Sequence, residues 1–418
     1  MQNPDTTQTD TTLSEKVKEW NGFTLELFTA IDQAPSDWDR LIASRNILLC
    51  RDYLRALEQC PPGGMSFFYL LVRRDRETVG LMYMQLKLFR ASESLNYERL
   101  EQSAEPEGQN GTMRSVKEWV ASRIAFYTLL CGNSLVTGSH GFHFVPSIDE
   151  DTANHLVHEA ITWARSYAGA QGKNVRLMFI KDFFTPRFSD LHEKIGCEPY
   201  HPFTAQPNMI MELPESWVSF DDYMKSLSSK YRVRVRRARK KSKGILMKDM
   251  DVDQIRREEQ RLYILYQRIA RRASFNLFIL HPGYMASVKE HLGERFTVLG
   301  YYDAGTLMAF CSMMDNGDEL EAHFLGYEAE TNRARQLYLN MLLDMLVIAI
   351  NRGIRRIVFS RTAMEIKSSV GAEPHYMYFY LQHASAWRNK WIPRVYHMLD
   401  PKVEWTPRSP FREMTGEG

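Results

Sequence analysis

Four groups of residues have types and spacing suited to chemistry. Glu321 and His323 stand two apart in an apolar run, so on a strand their side chains share a face, with Glu319 on it too. A carboxylate or an imidazole poised near neutral pH can take a proton from an attacking amine. Arg333, Arg335 and Tyr338 sit where a long amphipathic segment begins, and the positive end of a helix beside arginines suits phosphate groups. Arg361 and Lys367 follow the next strand and could hold a carboxylate or a carbonyl. Lys230 to Lys243 holds nine basic residues in fourteen positions, a density that repels itself unless an anion is near.

Each group also has a plainer reading. Glu321 and His323 could serve cross-strand hydrogen bonding. Arg333 and Arg335 could pair with Glu328 or Glu330, and Lys367 could be a helix-surface lysine. The basic run could be a solvated face. Its apolar stripe Phe220, Met224, Leu227, Tyr231 and Ala238 favours helix over the strand that Tyr231-Arg-Val-Arg-Val also allows. His140 and His143 have no partners at metal-ligand spacing and read as structural, so no metal is expected.

The elements that must position these groups read as strand, basic loop, helix and strand. Leu320 to Tyr327 is the first strand, the loop carries Arg333 and Arg335, and Gln336 to Ile350 is the helix. Arg356 to Ser360 is the second strand, and Tyr376 to Leu381 an aromatic third. Upstream, Phe220 to Lys243 and Asp253 to Ala273 read as helices. Phe296 to Tyr302 and Thr306 to Met314 read as strands, with Asn316-Gly317 as a hairpin turn. The first half has the same series: a hairpin of Phe67 to Val72 and Val79 to Leu88, strands at Phe126 to Cys131 and Leu135 to Phe144, a helix from Asp149 to Tyr167 and a buried-type strand Val175 to Ile180. Ile195-Gly-Cys-Glu-Pro199 echoes Val370-Gly-Ala-Glu-Pro374 at the same step of both series, which points to a duplicated unit.

The expected division is a tail over 1–21, one unit over 22–213, a second carrying the site over 214–400, and a tail over 401–418. Ser92 to Glu118 breaks the pattern as a polar excursion. At 418 residues, 44% hydrophobic and 25% charged, the composition is that of a globular protein with a substantial core. The net charge of +2 makes any nucleic-acid or membrane signal local. Five cysteines without disulfide or metal spacing suggest a reducing, cytoplasmic setting, and no signal peptide or membrane span is read.

With those elements placed, the chain resembles the GNAT acyltransferase superfamily in the tandem arrangement of Fem-like proteins, and the BioF-like acetyltransferase domain group in particular. Ser228-Ser229-Lys230-Tyr231-Arg232 with its basic helix, Gly326-Tyr327 at a strand end, and Arg361 to Lys367 with Gly371 carry the resemblance. It implies an α+β fold of two tandem GNAT-like units, each a mixed, mostly antiparallel sheet flanked by helices. It further implies an N-acyltransferase that moves an acyl group from acetyl-CoA or another acyl-CoA to an amine. Glu321 and His323 would be catalytic. Arg333, Arg335 and Tyr338 would bind the cofactor, and Tyr327, Arg361, Lys367, Lys230 and Arg234 the substrate. The loop Asn332 to Leu337 lacks the family's glycines, so the arginines would replace backbone contacts. The matching loop of the first unit, Pro146 to Asp151, is acidic, and no cofactor is expected there. The alternatives are an aminoacyl-tRNA-dependent Fem-like transferase of cell-envelope biosynthesis and a non-catalytic GNAT-like binding module. The expected partners are a small-molecule or cell-envelope amine, with tRNA or an anionic membrane surface contacted through 230–243, and a peripheral place on the inner membrane face as one outcome.

Overall fold

Apolar runs and amphipathic segments, punctuated by turns, build most of the chain. The computed structural model describes residues 16–42, 46–90, 125–272, 278–399 and 404–412. The excursion at Ser92 to Glu118 lies outside them. The first half runs β1 (Val17–Trp20), β2 (Phe23–Phe28), α1 (Asp37–Ile42), α2 (Arg51–Gln59), β3 (Ser66–Arg74), β4 (Glu77–Arg90), β5 (Ala125–Cys131), β6 (Phe142–Phe144), α3 (Glu150–Ala170), β7 (Val175–Phe183), α4 (Leu191–Ile195), β8 (His201–Thr204) and β9 (Asn208–Glu212).

The second half runs α5 (Phe220–Ser226), α6 (Ser229–Lys241), β10 (Leu246–Asp249), α7 (Val252–Arg257), α8 (Glu259–Ala270), α9 (Tyr284–Leu292), β11 (Phe296–Asp303), β12 (Thr306–Asn316), β13 (Glu319–Tyr327), α10 (Ala329–Arg335), α11 (Leu337–Asn351), β14 (Arg356–Val358), α12 (Met364–Ser368), β15 (Glu373–His375), β16 (Tyr378–His383), α13 (Ala386–Asn389) and α14 (Ile392–Leu399).

Several expectations shift. The single helix expected over Phe220 to Lys243 is two, because Leu227 and Ser228 leave helical geometry to pair with Phe411 and Pro410. The helix expected from Asp253 is likewise broken, at Glu258. Arg333 and Arg335 lie on a short helix rather than in a loop, and left-handed Gln336 (φ 53°) separates it from α11. Of the strand expected over Leu135 to Phe144, only the last three residues pair. The chain is ordered before residue 21, with β1 running antiparallel to β2, and residues 404–412 return to pack on the second unit.

The strands form two mixed, mostly antiparallel sheets flanked by helices. The first has the order β1-β2-β3-β4-β5-β7-β16-β8 with β6 on β4, and the second the order β10-β11-β12-β13-β14-β9-β15. Each contains one parallel neighbour pair, β5 with β7 and β13 with β14, joined by the long helices α3 and α11. Such a connection needs a crossover helix, which the apolar periodicity of both segments supplies.

The sheets trade their last strands. β9, from the first half, lies between β14 and β15, while β16, from the second, lies between β7 and β8. The core follows suit. One cluster lies under the first sheet and one under the second, and a third joins the halves by packing Trp38, Tyr53 and Leu57 with Tyr284, Phe296 and Phe310. Polar ties cross the same junction: the Ile47 amide donates to Asn316 Oδ1 at 2.8 Å and Ser287 Oγ to the Ala56 carbonyl at 3.1 Å.

Candidate functional site

The parallel pair β13 and β14 is bonded only over Glu319–Glu321 and Arg356–Val358, after which β13 continues to Tyr327 and the two part. Arg356 ties the paired end, its guanidinium 2.6 Å from both Glu319 and Glu212. On the other side of β13 the register skips, so that Ser312 faces both His323 and Phe324. Its Oγ accepts the Phe324 amide at 3.0 Å and lies 3.0 Å from the Phe324 carbonyl and 3.2 Å from His323 Nδ1.

Glu321 and His323 both turn toward the junction of the halves; Glu321 is buried and His323 half-buried. Burial pushes the Glu321 carboxyl up to about 8, with Glu319 adding to the effect and Asn316 and Arg356 opposing it. His323 lies among the rings of Tyr284, Phe296 and Phe324, with Nε2 3.0 Å from the Tyr284 hydroxyl. Burial brings its pKa down to about 3, so the imidazole is neutral. Neither residue lines the cavity at α11, the one between the halves or the smaller one beside β10.

A cavity of about 720 Å³ opens at the front of α11. Helix α6 makes one wall through two parallel stripes. Tyr231, Val235 and Ala238 are buried, and Lys230, Arg234 and Arg237, one residue earlier at each step, face the cavity. Arg239 clamps the helix, donating to Asp344 at 2.5 Å and Asn340 at 3.2 Å, while Asp344 accepts the Tyr301 hydroxyl at 2.8 Å. Arg408 completes the basic wall, with neutral Gln336 beside it; Glu365, the cavity's carboxylate, is 3.3 Å from Arg408.

Where the expected arginines fall differs from this wall. Arg333 is exposed, Arg335 is 3.7 Å from Asp303 and 3.5 Å from the Lys241 carbonyl, and neither lines the cavity. Tyr338 packs on Tyr327 with ring centroids 6.1 Å apart, and burial raises its phenol above the ordinary range. Arg272 lies 5.9 Å over the Tyr327 ring. Lys230 and Arg234 are the expected residues that the structure brings together there.

The largest of the three cavities, about 920 Å³, lies between the halves. At its floor the fully buried Asp182 accepts from Lys181 at 2.6 Å and from Arg361 at 2.5 Å. Burial works against this carboxylate, but Lys181 and Arg361 outweigh it and hold it below its usual range. Arg361 also donates to the Gln206 carbonyl at 3.1 Å, and the Thr137 and Ser360 hydroxyls meet at 2.9 Å. The loop after β14 is strained, with Ser360, Thr362 and Ala363 all left-handed. Lys367 holds it from beneath, donating to the carbonyls of Ser360 at 3.1 Å and Arg361 at 2.6 Å, and burial brings its amine down to about 7. Phe179, Tyr376, Phe379, Tyr396 and Trp405 supply an aromatic wall.

Two antiparallel meanders, each leading through a long helix to a parallel strand, define the architecture. Both units share a mixed, mostly antiparallel sheet flanked by helices. No protein-family model matches the chain, and no curated protein sequence matches it. Among solved structures, FemX aligns at 11% identity over 90% of this chain and 100% of its own, with a TM-score of 0.49. A tandem GNAT protein from the clavulanic acid biosynthesis pathway aligns at 12% over 86% and 99%, with a TM-score of 0.46. The C-terminal domain of a putative lysylphosphatidylglycerol synthetase from Agrobacterium fabrum aligns at 10% over 90% and 100%, with a TM-score of 0.45. What the chain does follows from its own side chains.

Among those, sequence reasoning missed Lys181 and Asp182, although a charged pair ending a buried-type strand was a signal. It also missed Arg408, which nothing in the sequence around it marks. Among the described residues no cluster of His, Cys, Asp and Glu could hold a metal, and no helix is long and apolar enough to cross a membrane.

Proposed function

We propose that the protein is an N-acyltransferase that moves an acyl group from a CoA thioester directly to an amine. The observation that carries this reading is the wall of Lys230, Arg234, Arg237 and Arg408 at the front of α11, the helix that links β13 to β14. Four cations against one carboxylate fit a polyphosphate, and charge-assisted hydrogen bonds from guanidinium groups replace glycine amides. The replacement has a local reason: Asn332 Oδ1 already accepts the Tyr338 amide at 2.8 Å, so that helix-end donor is occupied.

A bound acyl-CoA supplies an activated acyl carbon; the amine nitrogen bonds to it, the carbon–sulfur bond breaks and the thiolate leaves with the pair. The protein's part is to hold the two reactants together, which by itself can be worth effective molarities on the order of 10⁵ M. The inter-unit cavity, walled by aromatics and floored by Arg361, is the place for the amine's carrier. The carboxylates lining the two larger cavities are not poised as bases. Asp182 is held ionised by Lys181 and Arg361, and the Thr406 amide and Arg408 keep Glu365 below its usual range. The amine therefore reacts in its neutral form and its proton leaves to water.

Heat-stabilisation measured side by side with acetyl-CoA, longer acyl-CoAs and tRNA tests the reading. An upward shift with at least one thioester is expected, lost in Arg234→Ala/Arg237→Ala and kept in Arg333→Ala. No shift with any thioester, together with tight and strongly salt-dependent tRNA binding, replaces it with transfer from an aminoacyl-tRNA.

A further inference from the structure

The last two helices present an aromatic, cationic face that the proposed reaction does not use. The rings of Trp387 of α13 and Trp391, which lies between α13 and α14, have centroids 6.3 Å apart, and with Val395 of α14 these side chains are 68%, 44% and 50% exposed. The opposite side is fixed to the protein. Asn389, fully buried, donates to the Pro199 carbonyl at 2.9 Å and accepts the His383 amide at 2.8 Å. Tyr396 stacks 4.1 Å from Phe203 and donates to the Thr204 carbonyl at 2.7 Å. The outward apolar side chains thus stand on a rigid support.

Charge accompanies them. Arg388, Lys390 and Arg394 are all exposed, Arg394 lies 4.8 Å over the Trp391 ring, and no carboxylate occurs from Ala384 to Leu399. Tryptophan rings with basic neighbours match the interface of a bilayer, where the ring enters the headgroup layer and the cation meets lipid phosphate. A protein partner of ordinary composition would not require an all-cationic rim, whereas an anionic surface does.

We propose that α13 and α14 form an interfacial anchor that docks the protein on membranes containing anionic lipid. The segment is separate from 230–243, whose cations at 230, 234 and 237 face the cavity at α11.

Co-sedimentation with vesicles of phosphatidylcholine alone, or with about one third phosphatidylglycerol, tests the proposal. Binding is expected to the mixed vesicles only and to weaken with salt. Trp387→Ala/Trp391→Ala should lower it about tenfold or more, and Arg388→Ala/Lys390→Ala/Arg394→Ala on the order of 100-fold. Both variants change exposed side chains, and unchanged circular dichroism checks that they fold. Arg236→Ala/Lys240→Ala/Lys241→Ala removes the same charge elsewhere and should retain binding. Four outcomes overturn the proposal: no binding, equal binding to neutral vesicles, equal loss in that control, or a lipid-free dimer that the tryptophan variant dissociates. The last would make the occupant a second copy of the chain.

Discussion

Glu321 is the residue whose environment departs most usefully from water. Its folded pKa of about 8 exceeds the ordinary carboxylate value, so the fold favours the protonated form. The stability this brings is complete below pH of about 4.5 and is lost as pH rises through about 8, a window worth on the order of a few kcal/mol. Glu321→Gln should flatten that fall, read as urea midpoints between pH 5 and 9; an unchanged slope would show that another group sets it. The sequence correctly placed Glu321 and His323 toward one side of β13, because strand periodicity decides that. It could not tell whether that side meets a cavity or the rings of Tyr284 and Phe296, since those two residues come from other elements. The same limit applied to the phosphate site. Arg234 was legible from its stripe, whereas Arg408 arrives through the return of a terminal segment.

Among the elements, β13 carries the tightest constraint. Helix α8 crosses it so closely that a Cβ on Gly326 would lie 2.4 Å from the Leu265 carbonyl carbon, which is backbone and cannot rotate away. Gly326→Ala should therefore cost about 1–3 kcal/mol and displace α8. Gly305→Ala, in the β11–β12 turn with φ 82° and no atom within 4 Å, meets only backbone strain of about 1 kcal/mol. Chemical denaturation of the two variants orders these costs, and Gly305→Ala proving the worse would contradict the close crossing. Element type was legible where apolar periodicity ran long, as in β11 to β13 and α11. Breaks were not. Glu258 ends α7 with no proline or glycine to mark it, and Leu227 leaves its helix to meet Phe411 from the far end of the chain.

At the scale of the molecule, the duplication was legible and the exchange of strands was not, because β9 and β16 look like any short apolar strand. Yet Tyr380 of β16 is fully buried in the first unit's core, and its hydroxyl accepts the Arg187 amide at 2.7 Å. A fragment ending at residue 213 lacks this strand and leaves the β7 and β8 edges unpaired. It should aggregate when expressed alone and become soluble when residues 214–418 are co-expressed. A soluble, cooperatively unfolding first fragment would show that the exchange is dispensable.

The exchange also sets a schedule for biosynthesis. The first sheet cannot close on the ribosome when its own residues have emerged, because the strand between β7 and β8, Tyr378–His383, is translated long after His201–Thr204. Nascent chains arrested before Tyr378 should stay protease-sensitive in the first half, and become resistant there once that strand clears the exit tunnel.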